Sequence, residues 1–175
     1  MARDHALGAL MHLLDTELVW ALRGAKAGTC DPAVAAWAAA QARTALFVSA
    51  LTLGELVTAA VQIERVDKAA ATAARGWAEE IVPRAFDGRV LAVDAAVARR
   101  AAALGYAEPR DALLAATALE HRLAIATSHP GRYRGSKVRT IDPWRYVPGV
   151  SEEALDWREA ARGGPLWLRS LFARG

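Results

Sequence analysis

The sequence contains very little cysteine and no long apolar run, and both shortages exclude whole classes of protein. Cys30 is the only cysteine among 175 residues, which excludes an internal disulfide framework and a zinc site built from several cysteines. No apolar run approaches the roughly 20 residues that a membrane-spanning helix requires. Residues 1–5 lead into a strand-like run without the apolar region and cleavage signal of a secretory leader. We therefore expect a cytoplasmic protein with no membrane anchor.

Lysine is also scarce, because 19 of the 22 basic residues are arginines. The planar guanidinium fork suits phosphate better than the lysine ammonium does. The net charge of +3 permits a polyanionic partner without requiring one, since a few solvated arginines give the same charge. Hydrophobic residues make up 54% and charged residues 23%, a globular balance. The length fits one domain with a short appendage.

The hydrophobic pattern alternates short apolar runs with longer helical segments. The apolar runs, predicted to be strands, are 9–14, 45–49, 89–93, 123–127 and 138–141. The helical segments are 16–23, 33–43, 51–64, 67–81 with an end near Pro83, 95–104 and 109–122. Such alternation predicts a parallel sheet covered by helices on both faces.

The strand–helix pattern stops after Trp144, which suggests how the chain is divided. We predict one domain over residues 1–146 and a C-terminal helical extension over residues 147–175. Gly163-Gly164-Pro165 would end the helix of this extension. Its last residues are apolar enough to cover another surface, either of the same domain or of a partner: Trp167, Leu168, Leu171 and Phe172.

Three acids are predicted to lie at one edge of the sheet. Asp15 follows the first strand, Glu55 lies in the helix after the second, and Asp111 lies in the first turn of the helix opened by Pro109. Ligands of an open parallel sheet bind beyond the carboxyl ends of its strands. Clustered carboxylates repel each other and need a cation, for which Mg²⁺ or Mn²⁺ is suited. Alternatively, Asp15 and Asp111 only complement helix N-termini.

The sequence around these acids resembles the motifs of the PIN-domain family, especially its VapC-like and plasmid-stability toxins. The matching segments occur in the family's order and lie within residues 10–146: Leu13-Leu14-Asp15-Thr16, Ser49-Ala50-Leu51-Thr52-Leu53-Gly54-Glu55-Leu56, Arg89-Val90-Leu91-Ala92-Val93-Asp94, Pro109-Arg110-Asp111-Ala112-Leu113-Leu114-Ala115-Ala116-Thr117-Ala118 and Ile141-Asp142-Pro143-Trp144.

The resemblance implies a fold, an activity and partners. The fold would be a PIN-like three-layer α/β/α sandwich with a central five-stranded parallel sheet. The activity would be cleavage of RNA by a toxin of a toxin–antitoxin pair, with Mg²⁺ or Mn²⁺ held by Asp15, Glu55 and Asp111. A homodimer and an antitoxin protein would be the partners. Three hydroxyl groups near the metal would position water or phosphate, namely those of Thr16, Thr127 and Ser128.

The chain departs from the family pattern at three positions. Arg132 stands where members usually have a fourth acid, and His129 stands in for an asparagine after the fourth strand. Glu17 stands where members usually have asparagine after the first strand. We predict that Glu17 supplies the missing carboxylate and that Arg132 contacts the RNA phosphate, although a first-turn glutamate is also common as a solvated residue. Two alternatives remain: a PIN-fold protein that only binds RNA or a partner, and a small-molecule enzyme on a doubly wound sheet.

Overall fold

Five short parallel strands form the centre of the molecule. The structure, a computed structural model, describes residues 10–25 and 27–148. The strands are β1 (His12–Leu14), β2 (Leu46–Ser49), β3 (Val90–Leu91), β4 (Ala124–Ala126) and β5 (Thr140–Ile141). Their order in the sheet is β3-β2-β1-β4-β5, and every neighbouring pair is parallel. The first strand of the chain therefore lies in the middle of the sheet.

Helices connect most of the strands, and most helices begin after a polar residue whose side chain caps the helix N-terminus. The helices are α1 (Thr16–Arg23), α2 (Pro32–Ala40), α3 (Ala50–Glu64), α4 (Lys68–Gly76), α5 (Val82–Ala85), α6 (Ala95–Leu104) and α7 (Pro109–Glu120). Asp31, Asp67 and Asp94 each accept a backbone N–H at a helix start. Gly105 ends α6 with φ +68°, a left-handed conformation that glycine adopts without strain.

Helices cover both faces of the sheet. Two successive residues of the central strand β1 show this, because each is buried on a different face. Leu13 and Leu14 are each fully buried, yet they belong to different hydrophobic clusters. Side chains alternate between the two faces of a strand, so these clusters lie on opposite sides of the sheet. Leu114 of α7 belongs to the cluster of Leu13, whereas Leu18 of α1 and Leu56 of α3 belong to that of Leu14. The predicted three-layer α/β/α sandwich with a five-stranded parallel sheet is confirmed.

The helical stretch before the third strand ends at Ala85, two residues past Pro83 and so close to the predicted end, but the proline itself does not break it. After α4, residues Trp77–Ile81 form a π-helical turn, in which the Val82 N–H donates to the carbonyl of Trp77. Helix α5 then carries the chain through Pro83 to Ala85. Proline removes an N–H and clashes with the carbonyl four residues earlier, and a wider turn before it relieves both problems.

Two further predictions concern the ends of elements and of the chain. Helix α2 ends at Ala40 rather than at residue 43, because Gln41 is extended. No helix in the described part of the chain is long and apolar enough to cross a membrane. The predicted extension, including its apolar tail, lies outside the described residues from position 149 onward, so its helix and the domain boundary at 146 stay predictions.

Candidate active site

Strands β1 and β4 are neighbours at the centre of the sheet, and their carboxyl ends place two polar residues side by side. Asp15 follows β1 and Thr127 follows β4. The Asp15 N–H donates to the carbonyl of Ala126 at 3.0 Å, and this bond fixes the register of the two strand ends. The order of strands reverses between β1 and β4, and such a switch point is where open α/β sheets bind ligands.

The Asp15 carboxylate is almost completely buried, with 1% of its side chain exposed. One oxygen, Oδ1, accepts the N–H of Thr16 at 2.7 Å, and the other, Oδ2, accepts the hydroxyl of Thr127 at 2.8 Å. Asp15 therefore caps helix α1, as the alternative interpretation of this acid required. A buried charge also needs a counter-charge, because burial without one is costly.

Arg110 provides that counter-charge and brings the three predicted acids together. Its Nε donates to Oε1 of Glu55 at 2.8 Å, and its Nη1 donates to Oδ1 of Asp111 at 3.0 Å. Its Nη2 donates to Oδ1 of Asp15 and, at 3.2 Å, to Oε2 of Glu55. The acids come from the end of β1, from α3 and from α7, so only the tertiary fold makes them neighbours.

The environment of Arg110 keeps the guanidinium charged and oriented. Burial alone would lower the pKa of Arg110, but its hydrogen bonds to Glu55 and Asp15 raise that pKa above its usual value. Nη1 also donates to the hydroxyl of Tyr133 at 3.3 Å. Burial and the negative charge of Asp15 raise the pKa of Tyr133, so this hydroxyl stays neutral. The hydroxyl of Thr16 donates to Oε2 of Glu55 and so orients this carboxylate.

The donor atoms around Arg110 fit Mg²⁺ or Mn²⁺ in their chemistry. The acids offer carboxylate oxygens, Thr16 and Thr127 offer hydroxyl oxygens, and hard divalent cations prefer such ligands. Within the described residues, however, no three acid, histidine or cysteine side chains form a group that could hold a metal ion. Each acid instead contacts the fork of Arg110, which separates the carboxylates from one another.

Glu17 lies beside this cluster and reaches it through a hydroxyl. Its Oε1 accepts the Thr127 hydroxyl at 3.2 Å, and the same hydroxyl contacts Asp15. Oε1 also lies 2.8 Å from Nδ1 of His129, which contacts the hydroxyl of Ser128. Burial would raise the pKa of Glu17, but hydrogen bonds from His129 and Ser128 lower it below its usual value. Glu17 is therefore a fourth carboxylate, and it lies charged at the edge of the site.

A cleft of about 650 Å³ opens over the cluster and runs between α1 and α3. Arg132, the residue at the place of the fourth acid, is exposed and lines this cleft, whereas Ser128 does not. The site residues that line the cleft are Asp15, Thr16, Glu17, Glu55, Arg110 and Arg132; the remaining lining residues are Trp20, Ala21, Thr58, Ala59 and Gln62.

The sequence analysis assigned no role to Arg110 or to the α3 side of the cleft. A signal for that side existed: Thr58, Ala59 and Gln62 follow Glu55 at intervals of three, four and seven residues, which places them on one face of α3. No local signal marks Arg110 in the same way, because its carboxylate partners Asp15 and Glu55 are 95 and 55 residues away in the chain.

Fold and site together define a three-layer α/β/α protein with a buried acidic cluster at the carboxyl edge of its central strands. The family model described as PIN domain matches residues 13–130. The chain belongs to the PIN-domain family, and the resemblance stated from its motifs is confirmed. The family is one of nucleases and nuclease toxins. This places the acidic cluster within a nuclease fold.

Two solved structures resemble the chain over most of its length. One, described as FitAcB from Neisseria gonorrhoeae, is 26% identical, with a TM-score of 0.68, and the match covers 77% of this chain and 99% of the other. The second, described as FitAB bound to an IR36 DNA fragment, is 24% identical, with a TM-score of 0.66 and coverage of 79% and 99%. The second likeness bears on the fold alone. No curated protein sequence matches the chain significantly.

Proposed function

We propose that this protein is a metal-dependent endoribonuclease, the toxin of a cytoplasmic toxin–antitoxin pair. The observation that carries the proposal is the convergence of Asp15, Glu55 and Asp111 on one guanidinium, that of Arg110. Carboxylates from three separate elements have no structural need to meet at a sheet edge, where each brings a desolvation cost. Their meeting in a PIN domain, below an open cleft, supports hydrolysis of a phosphodiester there.

The chain's own residues would divide the work as follows. Asp15, Glu55 and Asp111 would hold Mg²⁺ or Mn²⁺. When bound, such an ion lowers the pKa of its water and neutralises charge on the phosphate. Thr127 orients Asp15, and Thr16 orients Glu55, through the hydroxyl contacts already described. Side-chain nucleophiles are not required for this reaction.

The direct test is cleavage of a panel of structured and single-stranded RNAs by the purified protein. We expect cleavage with Mg²⁺ or Mn²⁺ and none with EDTA, because the acids alone supply no water of lowered pKa. The products should be separated on denaturing gels, with a DNA panel of the same sequences as the comparison. Intact RNA at millimolar Mn²⁺ would overturn the proposal in favour of the alternative, a PIN-fold protein that acts by binding.

The presence of two arginines, Arg110 and Arg132, at the site is the observation that favours this alternative.

Glu17 and Arg132 carry a separate proposal, that the first supplies a carboxylate to the metal site and the second contacts RNA phosphate. Support comes from the contact of Glu17 with Thr127, one hydroxyl away from Asp15, and from the exposed position of Arg132 in the cleft. A guanidinium placed beside a reacting phosphate can stabilise the charge that develops in the transition state.

These roles predict opposite phenotypes for two variants. Glu17→Gln should weaken Mn²⁺ binding about as much as Asp111→Asn, because both remove one negative charge near the ion. Arg132→Ala should weaken RNA binding or turnover while Mn²⁺ affinity is retained or improved. Calorimetric Mn²⁺ titration and filter binding of RNA measure the two effects. A Glu17→Gln protein that binds Mn²⁺ and cleaves RNA like the parent would show that Glu17 is only a partner of His129.

Protein partners are also part of the proposal. An antitoxin and a second copy of the chain would cover apolar side chains that remain exposed. Val61 and Val66 are such side chains, at the end of α3 and in the turn after it, and they are 40% and 92% exposed. A small apolar surface of this kind suits a protein partner better than RNA.

A further inference from the structure

The guanidinium of Arg110 lies where a metal ion held by the three acids would have to lie. Asp15 has little freedom to offer another side, because Oδ1 also accepts the Thr16 N–H and Oδ2 accepts the Thr127 hydroxyl. Arg110 is the cation that this buried carboxylate contacts, through the same Oδ1 atom. Glu55 presents both of its oxygens to the same guanidinium.

Arg110 and a divalent ion cannot both occupy this position. Divalent ions such as Mg²⁺ lie about 2.1 Å from their oxygen ligands, so an ion bound by all three acids would have to take the space that the guanidinium fills between them. Two positive charges so close in a partly buried site also repel each other strongly. The group of three carboxylates and one guanidinium nevertheless keeps a net negative charge, so it still attracts a cation.

We propose that Arg110 is an intramolecular competitor of the metal ion, which binds only when this side chain leaves the acids. The proposal deepens the proposed function, since it rests on Asp15, Glu55 and Asp111 being the metal site. The competing cation is the guanidinium of Arg110 itself. Because it belongs to the same molecule as the acids, the competition does not depend on protein concentration. The apparent metal affinity then depends on the fraction of molecules in which the site is free.

The surroundings of Arg110 allow this movement. Its side chain is 26% exposed and lines the cleft, so it can turn into the cleft without crossing the hydrophobic core. The contact of Nη1 with the hydroxyl of the buried Tyr133 is long, at 3.3 Å, and is broken by the movement together with the contacts to the acids. In the cleft, the guanidinium would meet the anionic phosphates of bound RNA, with which it pairs well. RNA binding would thereby help to free the acids.

The test is Mn²⁺ affinity, measured by calorimetry and by electron paramagnetic resonance on the full chain without RNA. Arg110→Gln should bind Mn²⁺ at least about tenfold more tightly than the parent, the change expected if Arg110 fills the site about 90% of the time. Arg132→Gln is the matched control. It removes a guanidinium from the same cleft, but Arg132 is exposed and the three acids pair with Arg110, so its effect should stay below about threefold.

A second variant and a second measurement guard against misfolding of Arg110→Gln. Arg110→Lys keeps the charge but replaces the planar five-donor fork by an ammonium with three donors, so it should hold the acids less firmly and its Mn²⁺ affinity should be intermediate. Without metal, Arg110→Gln should unfold at a lower temperature than the parent. Saturating Mn²⁺ should raise its unfolding temperature more than that of the parent, because the ion replaces the lost counter-charge.

The outcomes separate this proposal from the proposed function. Equal Mn²⁺ affinity in the parent, Arg110→Gln and Arg132→Gln would overturn the role of Arg110 and leave the metal site intact. Equal tightening by both substitutions would also overturn it, since a general charge effect would explain the change. Binding by Arg110→Gln, with neither Mn²⁺ binding nor RNA cleavage by the parent, would support the competition and overturn the nuclease function. Absence of Mn²⁺ binding in every variant would overturn both.

Discussion

Asp15→Asn is expected to lower the rate of RNA cleavage by about 10³-fold, the loss typical when a central charge of a catalytic site is removed. Asp15 is the most deeply buried of the three acids, and it contacts Thr127, Thr16 and Arg110 at once. Asparagine retains the shape and can still cap helix α1, because its carbonyl oxygen accepts an N–H as well. The substitution therefore removes the negative charge with little other change. Initial rates at saturating Mg²⁺ measure the effect.

The matched control for this variant is Asp67→Asn. Asp67 is also an N-cap, since it accepts the N–H of Ala70, but it is exposed in the turn between α3 and α4 and does not line the cleft. Its substitution should leave the rate unchanged, and both variants should show folded thermal transitions. Cleavage by Asp15→Asn at the parent rate would remove this acid from the site. In that event the burial of its charge would serve only helix α1 and Arg110.

Arg89→Met should lower the free energy of unfolding by roughly 3 kcal/mol, because it leaves buried carbonyl groups without a charged donor. Arg89 is 9% exposed, and its guanidinium donates to the carbonyls of Arg43 and Leu46, at 2.8 and 2.7 Å, and to that of Ala85. These bonds join the residue before β3 to the end of α5, to the turn before β2 and to the first residue of β2. Burial and the charge of Arg43 lower the pKa of Arg89 below its usual value.

Chemical denaturation measures this change, and heating should show a fall in melting temperature of about 10 °C for a loss of this size. Arg75→Met serves as the control. Arg75 contacts Glu64 at 3.1 Å on the surface, where both side chains are more than 40% exposed, and such a pair contributes about 0.5 kcal/mol or less. If Arg89→Met were no less stable than Arg75→Met, the buried guanidinium would have no structural role.

The starts of helices could be predicted from the sequence because a cap depends on neighbouring residues. Asp31-Pro32 opens α2 with the expected capping bonds to Ala33 and Val34, and Pro109 opens α7. The ends were harder to predict. The alanine-rich sequence past Ala40 lacks a stop signal, and Pro83 was expected to end a helix that in fact continues through it. Accommodating that proline depends on a π-helical turn, which residue propensities do not reveal.

The three acids proposed for the site could be selected from the sequence. Asp15 follows a predicted strand, Glu55 lies in the helix after the next strand, and Asp111 lies in the first turn of a later helix, each within a segment that resembles a family motif. Their contacts depend on the tertiary fold. Their common partner is Arg110, whose fork joins carboxylates from distant parts of the chain. Local patterns report on residues a few positions apart, whereas the pairing of β1 with β4 and the packing of α3 and α7 decide which charges meet.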